Sequence, residues 1–166
     1  MSTPSNILVG CSKKVVWVRV EGKGSFLNSA GLKEFARAMI NRGYREFVVD
    51  LHHCPVMDST FMGTLAGIAL RLREIGQGTL HVTNLNERNS ELLRNLGLDQ
   101  LFAIDLCGLT EPAGTSKSLD ADAPDKQDQA RTMLEAHEAL VEASPDNLTK
   151  FKDVLEYLKQ DLSHPE

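Results

Sequence analysis

Ser59, with Asp58 before it and Thr60 after it, is the residue best placed to carry chemistry in this chain. It follows Phe47-Val48-Val49-Asp50-Leu51, an apolar, β-branched run bounded by polar residues, which predicts a buried strand. Met57 to Gly63 reads as the start of a helix. A hydroxyl at that corner lies at a surface turn, on the positive end of the helix dipole, where a phosphate can be added or sensed. Asp and Ser are also ordinary capping residues, and the two roles are compatible: Asp58 caps while Ser59 accepts the phosphate. Thr60 is a second candidate acceptor, less exposed if it lies inside the first turn. Phe61 falls off the apolar stripe of Met62, Leu65, Ala66 and Ala69, so it is expected to face a partner and Met62 the core. Gly63 and Gly67, four residues apart, predict close approach of the helix to the sheet.

Other chemistries fit the sequence less well. His52-His53-Cys54 has metal-ligand residue types, but adjacent side chains on an extended chain point in opposite directions. Asp50 ends a strand as a receiver-domain phosphoacceptor does. Glu21 stands alone, however, where that chemistry needs an acidic cluster for Mg²⁺, and Leu101 to Leu106 supplies no lysine. Gly22-Lys23-Gly24 lacks the third glycine of a dinucleotide fingerprint and the Ser or Thr of a phosphate-binding loop. No Ser/His/Asp or Cys/His spacing marks a nucleophile. No catalytic residue, metal or cofactor is therefore expected, and the protein reads as a binding module rather than an enzyme.

The elements that must position Ser59 are legible from periodicity and punctuation. Asn6 to Cys11 and Lys14 to Val20 predict two leading strands, and Glu21 to Gly24 a turn. A helix capped by Asn28 or Ser29 carries Leu32, Phe35, Ala36, Met39 and Ile40 and stops at Gly43. A strand over Glu46–Leu51 precedes the Asp58 or Ser59 helix, which runs to Gly76. Thr79–Thr83 is the next strand. A helix opened by Asn84 or Asn86 stops at Gly97, and Leu101–Ile104 is a last short strand. Strands alternating with helices predict an α/β fold with a mixed, largely parallel sheet of four to five strands.

Composition changes near Cys107. Residues 108–127 are rich in Gly, Ser, Ala, Asp and Pro and read as a flexible linker. Residues 128–163 then carry two apolar stripes, Ala130, Met133, Leu134, His137, Leu140 and Val141, and Leu148, Phe151, Val154, Leu155, Leu158 and Leu162. Ser144-Pro145 separates them, so they form a helical hairpin. It must cover its stripes on the first domain (residues 1–107), on a partner, or on a second copy as a homodimer.

Read in order, the motifs resemble the STAS domain family of anti-sigma factor antagonists and sulfate-transporter cytoplasmic domains, over roughly residues 12 to 105. The matching pieces are Val20-Glu21-Gly22, then Val48 to Leu51 with Met57-Asp58-Ser59-Thr60 and Gly63. Arg73-Glu74-Ile75-Gly76 follows, then Leu92-Leu93 with Gly97-Leu98 and Leu101-Phe102. In the antagonist branch the serine of the Asp-Ser pair is phosphorylated by a kinase that is also the anti-sigma factor, and a phosphatase reverses this. The resemblance implies that role for Ser59. It implies a partner surface of Glu21, Lys23, Ser25, Phe26, Asp58, Thr60 and Phe61. The chain departs from the family pattern at Lys23-Gly24-Ser25-Phe26 and in its helical tail. The alternative implied by the resemblance is a structural subunit of a membrane transport complex without phosphate control.

Bulk properties agree with a binding module. A net charge of −5 provides no basic field for nucleic acid or anionic lipid. No apolar run approaches the ~20 residues that span a bilayer, so no direct membrane insertion is expected. Cys11, Cys54 and Cys107 are widely spaced, as in reduced thiols of a cytoplasmic protein.

Overall fold

The computed structural model describes residues 6–105, 117–119 and 125–163. Strands β1 (Asn6–Ser12) and β2 (Val15–Glu21) form an antiparallel pair, and each buries alternate residues, as period-2 patterning requires. Helix α1 (Phe26–Asn41) leads to β3 (Glu46–Asp50), α2 (Ser59–Ile75) to β4 (Thr79–Thr83), and α3 (Glu87–Asn95) to β5 (Ala103–Asp105). Strands β2 to β5 run parallel, in register from Val16 opposite Phe47 to Val49 opposite Val82. The sheet order is β5-β4-β3-β2-β1-β6, where β6 is Lys117–Ser118. Lys117 and Ser118 extend the sheet by a sixth strand on the edge of β1, within the stretch expected as linker.

Helix starts follow local chemistry. Helix α1 begins three residues earlier than its sequence predicts. Ser25, not Asn28, is the N-cap, and Asn28 closes a capping box by accepting from the Ser25 backbone N–H at 3.0 Å. Gly43, with φ +99°, follows the C-cap Arg42. Asn86 caps α3. The last parallel strand starts at Ala103, because Leu98–Gln100 form a 3₁₀ turn after Gly97.

Two further helices, α4 (Lys126–Ala143) and α5 (Asn147–Ser163), form the hairpin, with Pro145 in the turn ahead of α5. Helix α4 makes its most extensive contacts with α2, touches α1, and packs along α5. Leu140 enters the core formed by Val18, Phe47, Leu65 and Leu72. Helix α4 thus covers its apolar stripe on the α/β layer, while Leu148 and Val154 of the α5 stripe stay exposed.

That placement changes the reading of α2. Residues 60 to 66 are all buried, because α2 is sandwiched between the core and α4. A helix covered on two sides is apolar around most of its girth. Phe61, expected at a partner surface, is fully buried and belongs to the core, while Met62 is core as expected. Gly63 and Gly67 face α4 rather than the sheet: a Cβ on Gly63 would stand 2.2 Å from the Ala136 carbonyl oxygen. The contact is helix to helix.

Candidate functional site

The site is built on the Asp58 carboxylate. Its Oδ1 accepts from Phe61 N–H at 2.8 Å, which caps α2, and its Oδ2 accepts from Phe26 N–H at 3.0 Å, at the start of α1. One carboxylate therefore ties the N-termini of two helices and satisfies an otherwise unpaired backbone donor in each. The backbone completes the joint. Asp58 N–H donates to Gly24 O at 2.8 Å, Gly24 N–H to Val56 O at 3.0 Å, and Gly22 N–H to His53 O at 3.0 Å. These bonds bring the 21–26 loop against the Asp58-Ser59 corner. The Phe61 ring seals the joint from below: a Cβ on Gly24 would lie 2.7 Å from it, so no larger residue fits there.

The other side of the corner is held by α3. Asn89 Nδ2 donates to Cys54 O at 2.8 Å, and Asn86 Nδ2 donates to Pro55 O at 3.1 Å. Burial pushes the Cys54 thiol above its ordinary pKa, against the smaller opposite effect of backbone hydrogen bonds at Gly24 and Val56. Asp50 sits at the end of β3 with Oδ1 accepting from Asn84 Nδ2 and His52 N–H, both at 2.9 Å. The exposed His52 and His53 rings meet edge to face. Among the described residues, no three His, Cys, Asp or Glu side chains gather as metal ligands.

Ser59 is the first residue of α2 and is half-buried. Its Oγ lies 2.9 Å from His137 Nε2 on α4. His137 Nδ1 is 2.6 Å from Met133 O. A carbonyl only accepts, so Nδ1 carries the hydrogen, and Nε2 is the ring atom that pairs with the Ser59 hydroxyl. The ring is 4% exposed and packs edge-on against Phe151 of α5 at 4.9 Å. The sequence held one unused signal for this contact: a histidine on an otherwise apolar helical stripe needs a polar partner when buried.

The remaining expected contact residues divide by exposure. Lys23 is exposed, and Glu21, Phe26 and Asp58 are half-buried at the rim. Glu21 pairs at the surface with Arg19. Ser25 and Thr60 are buried: Ser25 is spent on the α1 cap, and Thr60 O accepts from Thr64 Oγ1 at 2.9 Å. With Phe61, these two support the corner from inside rather than present a surface.

The STAS domain model matches residues 6–111, well over half of the chain. The chain belongs to the STAS domain family. Solved structures share the STAS fold at low identity. A putative anti-sigma factor antagonist from Thermotoga maritima superposes with a TM-score of 0.55 at 20% identity, covering 60% of this chain and 86% of its own. An antagonist from Mycobacterium paratuberculosis gives 0.54 at 22% identity, with 63% and 89% covered. SpoIIAA, an anti-sigma factor antagonist in its unphosphorylated form, gives 0.53 at 14% identity, with 62% and 89% covered. Among curated proteins, none matches the sequence. Helices α4 and α5 lie beyond the matched STAS segment, so His137 reaches Ser59 from outside it. Among the described residues, no helix is long and apolar enough to cross a membrane.

Proposed function

We propose that this STAS protein is a phosphorylation-regulated binding module of the anti-sigma factor antagonist type. Unphosphorylated, it binds an anti-sigma factor that is also its serine kinase. Phosphate on Ser59 ends that binding, and a phosphatase restores it. The protein is not itself the enzyme: kinase and phosphatase supply the chemistry, in the cytoplasm.

One observation carries the reading. The Asp58 carboxylate clamps the start of α2 to the start of α1, so Ser59 stands on a rigid corner beside the 21–26 loop. A phosphate there adds about −1.5 to −2 charges and three acceptor oxygens. The helix N-terminus tolerates that charge locally. A partner that desolvates the corner does not, because the new charge lies beside Asp58 and must be stripped of water. Affinity therefore falls without refolding of the α/β domain. Lys23, Glu21, Phe26 and Asp58 are the accessible members of the proposed partner surface.

The test is to incubate the full chain with each anti-sigma-type serine kinase of the source genome and ATP, then map modified peptides by mass spectrometry. One phosphate on Ser59, none in Ser59→Ala, and loss of the kinase complex on calorimetric titration are expected. Absence of modification with every kinase, or equal affinity before and after phosphorylation, overturns the reading.

A further inference from the structure

We infer that the α4–α5 hairpin is an intramolecular cover for the Ser59 corner, and that the chain must open at the α2–α4 seam before kinase or partner can engage Ser59. This rests on the reading of Ser59 as phosphoacceptor and names how that site is controlled. The hairpin takes up the surface around Ser59 by direct bonding. His137 Nε2 holds the hydroxyl at 2.9 Å, and its own ring is fixed by Met133 O and Phe151. A phosphoryl group on Ser59 Oγ needs space that the imidazole fills. The modified serine and the docked hairpin exclude one another, and opening and phosphorylation favour each other.

The seam is built on glycine and borders an unfilled cleft. On α2 the contact is made through glycine: Gly63 admits the Ala136 backbone, and the Gly67 Cβ position is 3.8 Å from Ala139 Cβ. Beside it a cleft of about 390 Å³ remains between α1, α2 and α4, bordered by Lys33, Arg37, Thr64, Arg71, Thr132 and Glu135. The cleft leaves part of the α1–α2–α4 junction unfilled beside the close glycine contact of α2 with α4. Lys33 and Glu135 pair across the cleft mouth at half-exposed positions, where an ion pair adds little. One turn of α4 beyond His137 the hairpin is anchored more firmly. Buried Asn147 Nδ2 donates to Leu96 O at 2.9 Å and to Leu140 O at 2.7 Å, and Lys150 Nζ donates to Asn95 O.

The seam can be locked or wedged in the full chain. Cβ atoms 3.8 Å apart suit a disulfide, so Gly67→Cys with Ala139→Cys, in a Cys11→Ser/Cys107→Ser background, locks it when oxidised. The reduced form of the same chain is its folding control. Gly63→Val wedges the seam open. The first readout is independent of any kinase: N-ethylmaleimide labelling of Ser59→Cys, followed on its own peptide. It is expected to run at least about tenfold faster with Gly63→Val than without it, because labelling follows the open population. Equal rates overturn the cover. The second readout is phosphate incorporation by the kinase identified above, expected to drop about tenfold on oxidation of the locked chain and to recover on reduction. Equal incorporation in oxidised and reduced chains also overturns the inference. If the labelling difference holds while reduced and wedged chains both stay unphosphorylated, the cover stands and the phosphoacceptor reading fails.

Discussion

The carbonyl oxygen of Ala136 lies 2.2 Å from the position a Cβ would take on Gly63, so the α2–α4 contact exists only because residue 63 has no side chain. By intrinsic propensity alone, alanine at a helix interior gains about 1 kcal/mol over glycine. Here the added methyl meets backbone, which cannot rotate away. Gly63→Ala is expected to cost about 1–3 kcal/mol in urea unfolding, the usual range for overpacking. Hydrogen exchange should rise over α4 and α5 and stay unchanged in β2 to β4. A neutral or stabilising result would contradict the contact.

Asp58 is the single side chain that joins both helix starts. Asp58→Ala removes an N-cap, worth about 0.5–2 kcal/mol, and also leaves the Phe26 N–H without its acceptor. A total loss of about 2–3 kcal/mol is expected. Asp58→Asn keeps one acceptor oxygen and should recover roughly half of it. The two variants are compared by equilibrium denaturation. A loss below about 0.5 kcal/mol for the alanine variant would mean the carboxylate does not join the helices.

Asn147 tests the anchored end of the hairpin. Its amide donates to two buried carbonyls, one on each side of the hairpin–domain joint. Asn147→Ala strands the Leu96 carbonyl, while Leu140 O keeps the Ser144 N–H, with an expected loss of about 1–3 kcal/mol and a lower melting temperature by calorimetry. Tryptic cleavage within α5 should become faster than cleavage within the sheet. Equal protection of α5 in parent and variant would refute the anchor.

The thiols should differ sharply in reactivity. Burial raises the Cys54 pKa, which lowers its thiolate fraction near neutral pH, whereas Cys11 is exposed. Native protein treated with iodoacetamide at pH 7.5 is expected to be modified on the Cys11 peptide well before the Cys54 peptide, by mass spectrometry. Raising the pH should speed Cys54 labelling. Denaturation should bring the two rates together. Equal native rates would mean the loop from Leu51 to Met57 is open.

What the sequence by itself determined is what short-range physics encodes. The alternation in β2 places its residues on two faces. The stop at Gly43 and the capping residues Asp58 and Asn86 follow from the needs of unpaired helix-end groups within a few residues. Repeated strand–helix punctuation was enough for the parallel sheet and for the corner that carries Ser59. The start of α1 was misplaced because Ser25 and Asn28 are both good caps, and only their reciprocal bond selects Ser25. Tertiary structure decided the rest. Phe61 looked like a surface residue because one apolar face was assumed for α2. It is core because α4 covers a second face. The bond from Ser59 to His137 joins residues 78 positions apart, and no local period or cap connects them. Whether the hairpin docked on its own chain, on a copy or on a partner depended on where a carbonyl could approach a glycine, which is a property of the folded surface.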